Sequence, residues 1–514
     1  MSKLRALVLE DEAKWVDAIR CGLEVIGMSV DVTADVDNAL ELVALNHYAL
    51  VTVDLSLVGM QSDGMPDVEG AKFLERLRAE QRDMGAAVLL VSGRASRGDV
   101  SSAFELYGID AFIDKQDFDE TRLTETARAS ILKARLRAAD RCAEAQHELE
   151  ITFNTTKLLG ADLRGPRMNG RIQIDGNATL NNAMFGKRSD ELNNLLIHNQ
   201  TDEWRKAASA IGRTLYERLT KPPGITERLA LVRQASRRSA PTVISFAGPA
   251  SGLRTPFELL TNGNDYLSLE FVIIRKLTSP GLSPTNKGER FQQFMRDLIR
   301  RREPLRILVV GVDSDGTIPG AEVEIEDIVR GLRADLQALG IRHAITTLLG
   351  AKASYDRVAE SLASTKYHLL HFAGHGEHAV ANPERSGIVL GKGVEEMTLT
   401  AADLKVLLSQ TALRCVFLNC CLGAATQTDR VGGDFLGTVD AIVRADVPFV
   451  IGHRWIIPDE QARLFARKFY EGLFTFFSPG LALLWARIAA SSEAEGGRDN
   501  PIWASPVFVS QAPP

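Results

Sequence analysis

Short apolar runs alternate with amphipathic segments from residue 3 to about residue 120. The runs 4-LRALVLE-10, 28-MSVDVTA-34, 49-ALVTVDL-55, 87-AVLLVSG-93 and 110-DAFIDK-115 have the length and apolar content of buried strands. Between them, 13-AKWVDAIRCGLEVIG-27 and 69-EGAKFLERLRAEQ-81 repeat apolar residues at helical spacing. Units of this kind predict a parallel, doubly wound sheet, in which ligands bind at the carboxyl ends of the strands.

The stretch 121-TRLTETARASILKARLRAADRCAEAQHELE-150 contains no proline or glycine and is rich in Ala, Leu, Glu and Arg, so it predicts one long helix. Two uses remain open for it: a rigid connector or short coiled coil that could seam a dimer, or a last helix packed on the sheet. Residues 151–190 are irregular, with NG and DG turn signals between short β-like runs. Helices are expected around 189–219 and 225–236. A second α/β body then begins at 241-PTVISFAG-248 and continues through 270-EFVIIR-275, 305-LRILVVGV-312, 342-RHAITTLLG-350, 367-YHLLHFAG-374, 413-LRCVFLNC-420 and 447-VPFVIGH-453. The expected organisation is therefore 1–120, a helical linker 121–150, and 151–514.

Composition adds limits. A chain of 514 residues exceeds one core, and 45% hydrophobic with 25% charged residues is ordinary for a globular protein. The formal charge of −6 gives no general attraction to nucleic acid or to an anionic membrane, so neither is expected as a partner. The basic clusters 233-RQASRRS-239 and 296-RDLIRRREPLR-306 read as solvated surface. The charged start MSKLRALVLEDE does not read as a signal peptide, and no run approaches the ~20 apolar residues of a spanning helix. Five cysteines, two of them adjacent, imply no disulfide framework, so a cytoplasmic, reduced location is expected.

Two groups of residues carry chemistry. In the first, Glu10 and Asp11 end the first strand, Asp54 the third, Ser92 the fourth and Lys115 the fifth. On a doubly wound sheet these meet at one rim. Clustered carboxylates suit a hard cation, and oxygen ligands of this kind suit Mg²⁺. A carboxylate beside that ion can attack a phosphoryl group, with the lysine and serine then receiving the phosphate. The words 8-VLEDE-12, 51-VTVDL-55, 90-LVSGR-94 and 113-IDK-115 resemble the receiver domain of bacterial response regulators. The resemblance implies a (βα)5 fold, Asp54 as the phosphoacceptor, and Mg²⁺ held by Glu10, Asp11, Asp54 and the Ser56 carbonyl. It further implies Ser92 and Phe112 as switch residues, Lys115 as the phosphate partner, and a sensor histidine kinase as donor. Glu10 stands where Asp is usual, Gln116 where Pro is usual, and the loop 58-VGMQSDGMPDVEG-70 is lengthened.

The second group is 371-HFAGHGEH-378 with 416-VFLNCC-421. A zinc site is excluded on geometry. Glycines flank His375, the preceding run is strand-like, and no CxxC or further histidine cluster completes a shell. His368, His371 and His378 read as core or rim residues. A strand ending in Gly-His-Gly and another ending in a thiol at the same rim instead suit a base and a nucleophile. Backbone N–H groups at Gly376 and at the cysteine would receive the oxyanion. The words 369-LLHFAGHGEH-378 and 416-VFLNCCLGAA-425 resemble the CHAT domain, a caspase-like group of cysteine peptidases. Supporting words are 252-GLRTPFELL-260, 319-PGAEVEIEDI-328, 451-IGHRWIIPDEQARLFARKFYEGL-473 and 483-LLWARIA-489. The resemblance implies a caspase-like C-terminal domain with His375 as base, Cys421 as nucleophile and a protein substrate, and no cofactor for that site. Asp434 in the 432-GGD-434 loop is a candidate receptor for a basic side chain before the scissile bond, against the plainer reading of a solvated loop aspartate. Asp459 is expected to cap the helix that follows it.

Together these resemblances imply a response regulator whose output is proteolysis gated at Asp54. A homodimer through the receiver or the linker helix would suit it. The alternative is an inert caspase-like scaffold whose assembly is set by the receiver.

Overall fold

A computed structural model describes residues 4–55, 57, 69–79, 85–93, 100–101, 103–166, 168–174, 179–237, 240–249, 254–278, 287–313, 320–377, 383–391, 396–421, 436–494 and 496–514. The chain divides into two compact units, Met1–Arg141 with Arg333–Arg342, and Cys142–Leu332 with His343–Pro514. Among the described residues no helix is long and apolar enough to cross a membrane.

The first unit contains β1 (Arg5–Leu9), α1 (Ala13–Val25), β2 (Ser29–Thr33), α2 (Val36–Leu45), β3 (Leu50–Val53), α3 (Glu69–Ala79), β4 (Ala87–Ser92), β5 (Ala111–Asp114) and most of α4 (Glu120–Ala145). The strands form one parallel sheet in the order β2-β1-β3-β4-β5. Every residue of β3 and β4 is buried, as a sheet covered on both faces requires. Leu7, Leu9, Val51, Val53 and Leu90 pack against Ala39 and Leu40 of α2 and Phe73, Leu74 and Leu77 of α3. Asp35 starts α2 by accepting the Asn38 N–H at 2.7 Å. On the other face, a Cβ on Gly22 of α1 would lie 2.9 Å from Leu123 of α4, so the two helices meet at glycine distance.

The second unit begins with β6 (Glu148–Phe153), β7 (Leu158–Arg164) and β8 (Gly170–Gln173), a meander in the segment that reads as irregular in sequence. Three helices follow, α5 (Asn182–Ile197), α6 (Thr201–Thr220) and α7 (Ile225–Ala235). The expected helix over 189–219 is thus two, parted where Asn199 takes a left-handed φ of 55°. The chain continues through β9 (Val243–Gly248), β10 (Val272–Leu277), α8 (Phe291–Arg300), β11 (Leu305–Gly311), α9 (Gly320–Ala338), β12 (His343–Leu349), α10 (Tyr355–Ser364) and β13 (Leu369–Glu377). It ends with β14 (Gly387–Leu390), β15 (Met397–Thr400), α11 (Ala401–Leu408), β16 (Cys415–Cys421), α12 (Leu436–Arg444), β17 (Phe449–His453), α13 (Asp459–Phe476), α14 (Pro479–Glu493) and β18 (Pro506–Ser510).

The sheet runs β12-β11-β13-β16-β17-β18-β10-β9-β6-β7-β8, with the β14–β15 hairpin branching from β13. Strands β12 to β17 are parallel, and β18 enters antiparallel to β17 and parallel to β10. On one face, Leu308, Val310, Leu370, Phe372, Val416, Leu418 and Cys420 form a continuous core with Val358 and Leu362 of α10, Leu404 of α11, and Ile442 of α12. The opposite face carries His371, Phe417 and Asn419 beneath the aromatic residues Phe469 and Tyr470 of α13.

One buried ion cluster ties distant parts of this unit together. Glu258, fully enclosed, pairs with Arg275 of β10 and lies 3.7 Å from Arg487 of α14 and 3.9 Å from Arg454, just after β17. Burial alone would raise the Glu258 carboxyl. The three guanidinium groups outweigh it and hold the carboxyl below its usual range. Burial pushes Arg487 down to about 10. Replacing Glu258 by Gln strands these cations in the core. The expected loss is roughly 3–5 kcal/mol in urea unfolding, and a loss under about 1 kcal/mol would show that the cluster is not held by the carboxylate.

Candidate functional site

Each unit gathers polar residues at the carboxyl edge of its sheet, where apolar strand alternation stops. In the first unit, Asp54 follows β3 and its N–H bonds the Leu9 carbonyl at 3.0 Å, while the Glu10 N–H bonds the Thr33 carbonyl at 3.1 Å. These ladder bonds set the two carboxylates side by side. Gly70, at the start of α3, fits against this point because a Cβ there would lie 2.0 Å from the Asp54 carbonyl oxygen.

Lys115 closes the acidic rim. Its Nζ donates to Asp54 Oδ2 at 2.7 Å and to Glu10 Oε1 at 3.0 Å, and lies 3.7 Å from Glu12 Oε1. The ammonium also stands 5.4 Å from the centre of the Trp15 ring. Burial would lower Lys115, but hydrogen bonds and charge from Asp54 and Glu10 outweigh it and hold the ammonium above its usual range. Burial drives the Glu10 carboxyl up despite Lys115. Ser92 and Lys115 lie on the neighbouring strand ends, and Ser92 is level with Asp114. The Ser92 hydroxyl is buried with no hydrogen-bond partner among the described residues. Phe112 is half-buried and packs at the edge of the apolar core. Ser56 lies outside the described residues.

Carboxylate oxygens of Glu10, Glu12 and Asp54 come within 4.8 Å of one another. This all-oxygen set fits a hard divalent cation such as Mg²⁺. Asp11, expected among the ligands, is half-buried beside this set but is not one of its three members. Glu12 was missed because an exposed acid in the first loop after β1 carries no periodic signal. It is brought in by its own N–H, which donates to Glu10 Oε1 at 3.1 Å.

In the second unit, β13 and β16 are neighbouring parallel strands, and their register sets His375 level with Cys421. Cys421 is the last residue of β16. Parallel neighbours lie roughly 4.8 Å apart, so the two backbones bring His375 and Cys421 to one rim. Gly374 permits the approach of the next strand, since a Cβ there would be 2.7 Å from the Val312 carbonyl oxygen. Gly376 continues β13 and is paired in register with Ile388 of β14. Cys420 is 1% exposed in the apolar core, on the same face as Leu418 and Val416, as the alternation along a strand requires. Burial raises the Cys415 thiol far above its usual value.

The remaining histidines have structural work. His368 Nδ1 accepts the Arg306 N–H at 3.1 Å, and burial pulls its ring down to about 4. His371 is fully buried, with Nδ1 3.1 Å from the Tyr470 hydroxyl and Nε2 3.2 Å from Glu324 Oε1. Glu324, on α9, also accepts Asn419 Nδ2 at 2.5 Å, so one buried carboxylate ties β13 to β16 just below the rim. Its signal in sequence is its place in the PGAEVEIEDI word, which names no partner. Asp459 does not cap α13. Pro458 occupies the cap position, and Asp459 in the first turn accepts the Gly320 N–H, which opens α9. Burial is the largest influence raising its carboxyl. Asp434 and His378 lie outside the described residues.

Two outcomes follow for the acidic rim. Asp54→Asn weakens Mg²⁺ binding at least ~tenfold, about 1.4 kcal/mol, in calorimetric titration. Glu12→Gln weakens it by roughly threefold or more if Glu12 is a ligand, whereas unchanged affinity assigns that place to Asp11 alone.

Comparison with known proteins covers both units. A response regulator receiver domain matches residues 6–128, and a CHAT domain matches residues 209–511. Transcriptional regulatory protein DltR of Streptococcus agalactiae serotype III (strain NEM316) is 29% identical over 162 residues, which is 30% of this chain and 67% of DltR. Response regulator Rre1 of Synechocystis sp. is 27% identical over 161 residues, 31% of this chain and 64% of Rre1. The chain thus spans about two thirds of the length of these curated relatives. A sensor protein from Polaromonas sp. JS666, known from its crystal structure, is 27% identical, with 26% of this chain and 98% of that one covered and a TM-score of 0.23. With more than half of its length matched by one family and its first strands by another, the chain belongs to the CHAT domain family and carries an N-terminal response regulator receiver domain.

Proposed function

We propose that this protein is a response regulator whose output is a cysteine endopeptidase, with phosphorylation of Asp54 gating cleavage of a partner protein at Cys421. The observation that carries the reading is the register that puts His375 level with Cys421 at the carboxyl edge of the sheet. The CHAT domain is a caspase-like, peptidase-related family, which favours the same chemistry.

In the peptidase, a proton passes from the Cys421 thiol to the His375 ring and the thiolate attacks the scissile carbonyl carbon. The N–H groups of Gly376 and Cys421 receive the oxyanion. The His375 proton then goes to the leaving amine, and water hydrolyses the thioester. Asp434 receives a basic side chain before the scissile bond.

In the receiver, a sensor histidine kinase is the phosphodonor. The Asp54 carboxylate attacks the phosphorus and the donor's imidazole leaves. Bound Mg²⁺ would neutralise charge on the transferring group, with Glu10, Asp11, Asp54 and the Ser56 carbonyl as its ligands. Lys115, already on Asp54, pairs with the new phosphate, and the unpartnered Ser92 hydroxyl donates to it, with Phe112 following that movement. The helix α4, which ends at Ala145, is the covalent route by which this change reaches the peptidase, and a homodimer through receiver or linker is one way to carry it.

Mapping of new protein N-termini in a host-cell lysate, with Mg²⁺ and a small phosphodonor, tests this reading. Termini that vanish in Cys421→Ala and fall to the unphosphorylated level in Asp54→Ala are expected, and the residue before each cut tests Asp434. If no terminus depends on Cys421, an inert scaffold set by the receiver replaces the peptidase.

A further inference from the structure

Beyond β11, the chain keeps to the level of β13 for two more residues. Gly311 is in register with Ala373, and the Val312 N–H bonds the Ala373 carbonyl at 3.0 Å. Val312 enters the same apolar core as Leu308 and Val310, so strand alternation persists past the last ladder pair. Asp313 therefore leaves on the opposite face, the face of His371 and Asn419. Continued for two residues past the last ladder pair, the same register would set it level with His375, as His375 is level with Cys421. Asp313 is 7% exposed, in a place where an apolar residue would serve packing better. The strand order β11-β13-β16 puts it on the side of His375 away from Cys421.

Resting on the peptidase reading, we infer that Asp313 is a positioning residue for His375, completing a row of nucleophile, base and carboxylate across three adjacent parallel strands. The proton that leaves the Cys421 thiol goes to one ring nitrogen. The Asp313 carboxylate holds the other side of the ring and takes no proton itself, stabilising the imidazolium and fixing its orientation. Because Asp313 lies nearer the base than the nucleophile, its charge favours the thiolate–imidazolium form over the neutral pair.

Other charged and titratable groups share this rim. Asp459 of α13 feels the charges of Glu324, Asp313 and His375. Glu324 approaches from α9, Tyr470 from α13, and His371 and Glu377 come from β13 itself. His453 of β17, held down to about 3 by burial, stays neutral. Of these carboxylates, Asp313 is the one that follows a strand adjoining β13, two residues past the end of β11.

The test is the rate of iodoacetamide alkylation at Cys421 in the full-length protein with Mg²⁺ and beryllofluoride, at pH 6 and pH 10. Peptide fragmentation separates Cys421 from Cys420. At pH 10 the thiolate forms without help, so the ratio of the two rates reports the ion pair independently of any substrate. Asp313→Asn is expected to lower this ratio by about three- to tenfold, and Asp313→Glu to restore most of it. An unchanged ratio in Asp313→Asn, where His375→Asn abolishes the pH 6 rate, overturns the role of Asp313 and leaves the dyad standing. A larger fall in Asp459→Asn than in Asp313→Asn also overturns it. If the wild-type ratio is no higher than that of His375→Asn, the peptidase reading itself fails.

Discussion

Backbone hydrogen bonds between two neighbouring parallel strands, Leu369–Glu377 and Cys415–Cys421, hold His375 level with Cys421, and the rest of the C-terminal unit is arranged around keeping that register. A slip of one residue would turn every side chain of a strand to the other face. Phe372 and Leu418 would then leave the apolar core and His371 and Asn419 would enter it. The register is thus enforced by the sorting of apolar and polar residues along two strands, well away from the reactive groups.

Two buried carboxylates inside this unit are tolerated because their partners are supplied from elsewhere in the chain. Glu324 comes from a helix, yet its hydrogen bonds fall on His371 and Asn419 of adjacent strands. Glu258 comes from a short turn and meets arginines from β10, from the end of β17 and from α14. A buried charge without such partners costs several kcal/mol, so each group specifies which elements must assemble beside it.

The receiver uses the same economy at its own edge. Glu10 and Asp54 would repel each other, and Lys115 bonds both, which offsets part of that repulsion. A cation bound by Glu10, Glu12 and Asp54 would compete with these contacts of Lys115. The Ser92 hydroxyl is buried at the end of β4 without a partner among the described residues.

Sequence by itself determined the five strands of the receiver and the central strands of the second body, and it put Asp54, Lys115, His375 and Cys421 where apolar runs end. It offered short β-like runs and turns for the β6–β8 meander without their pairing, and it did not disclose the helix break at Asn199, or β18, whose short run Pro506–Ser510 becomes a strand by slotting between β17 and β10. Nor did it disclose Glu12, Glu324 or the bond from Gly320 to Asp459. The reason is common to all of these. Periodicity and turn chemistry are local and can be read along the chain, whereas a strand's neighbours and a carboxylate's partners are set by which distant segments pack beside them, and that is decided only when the tertiary structure forms.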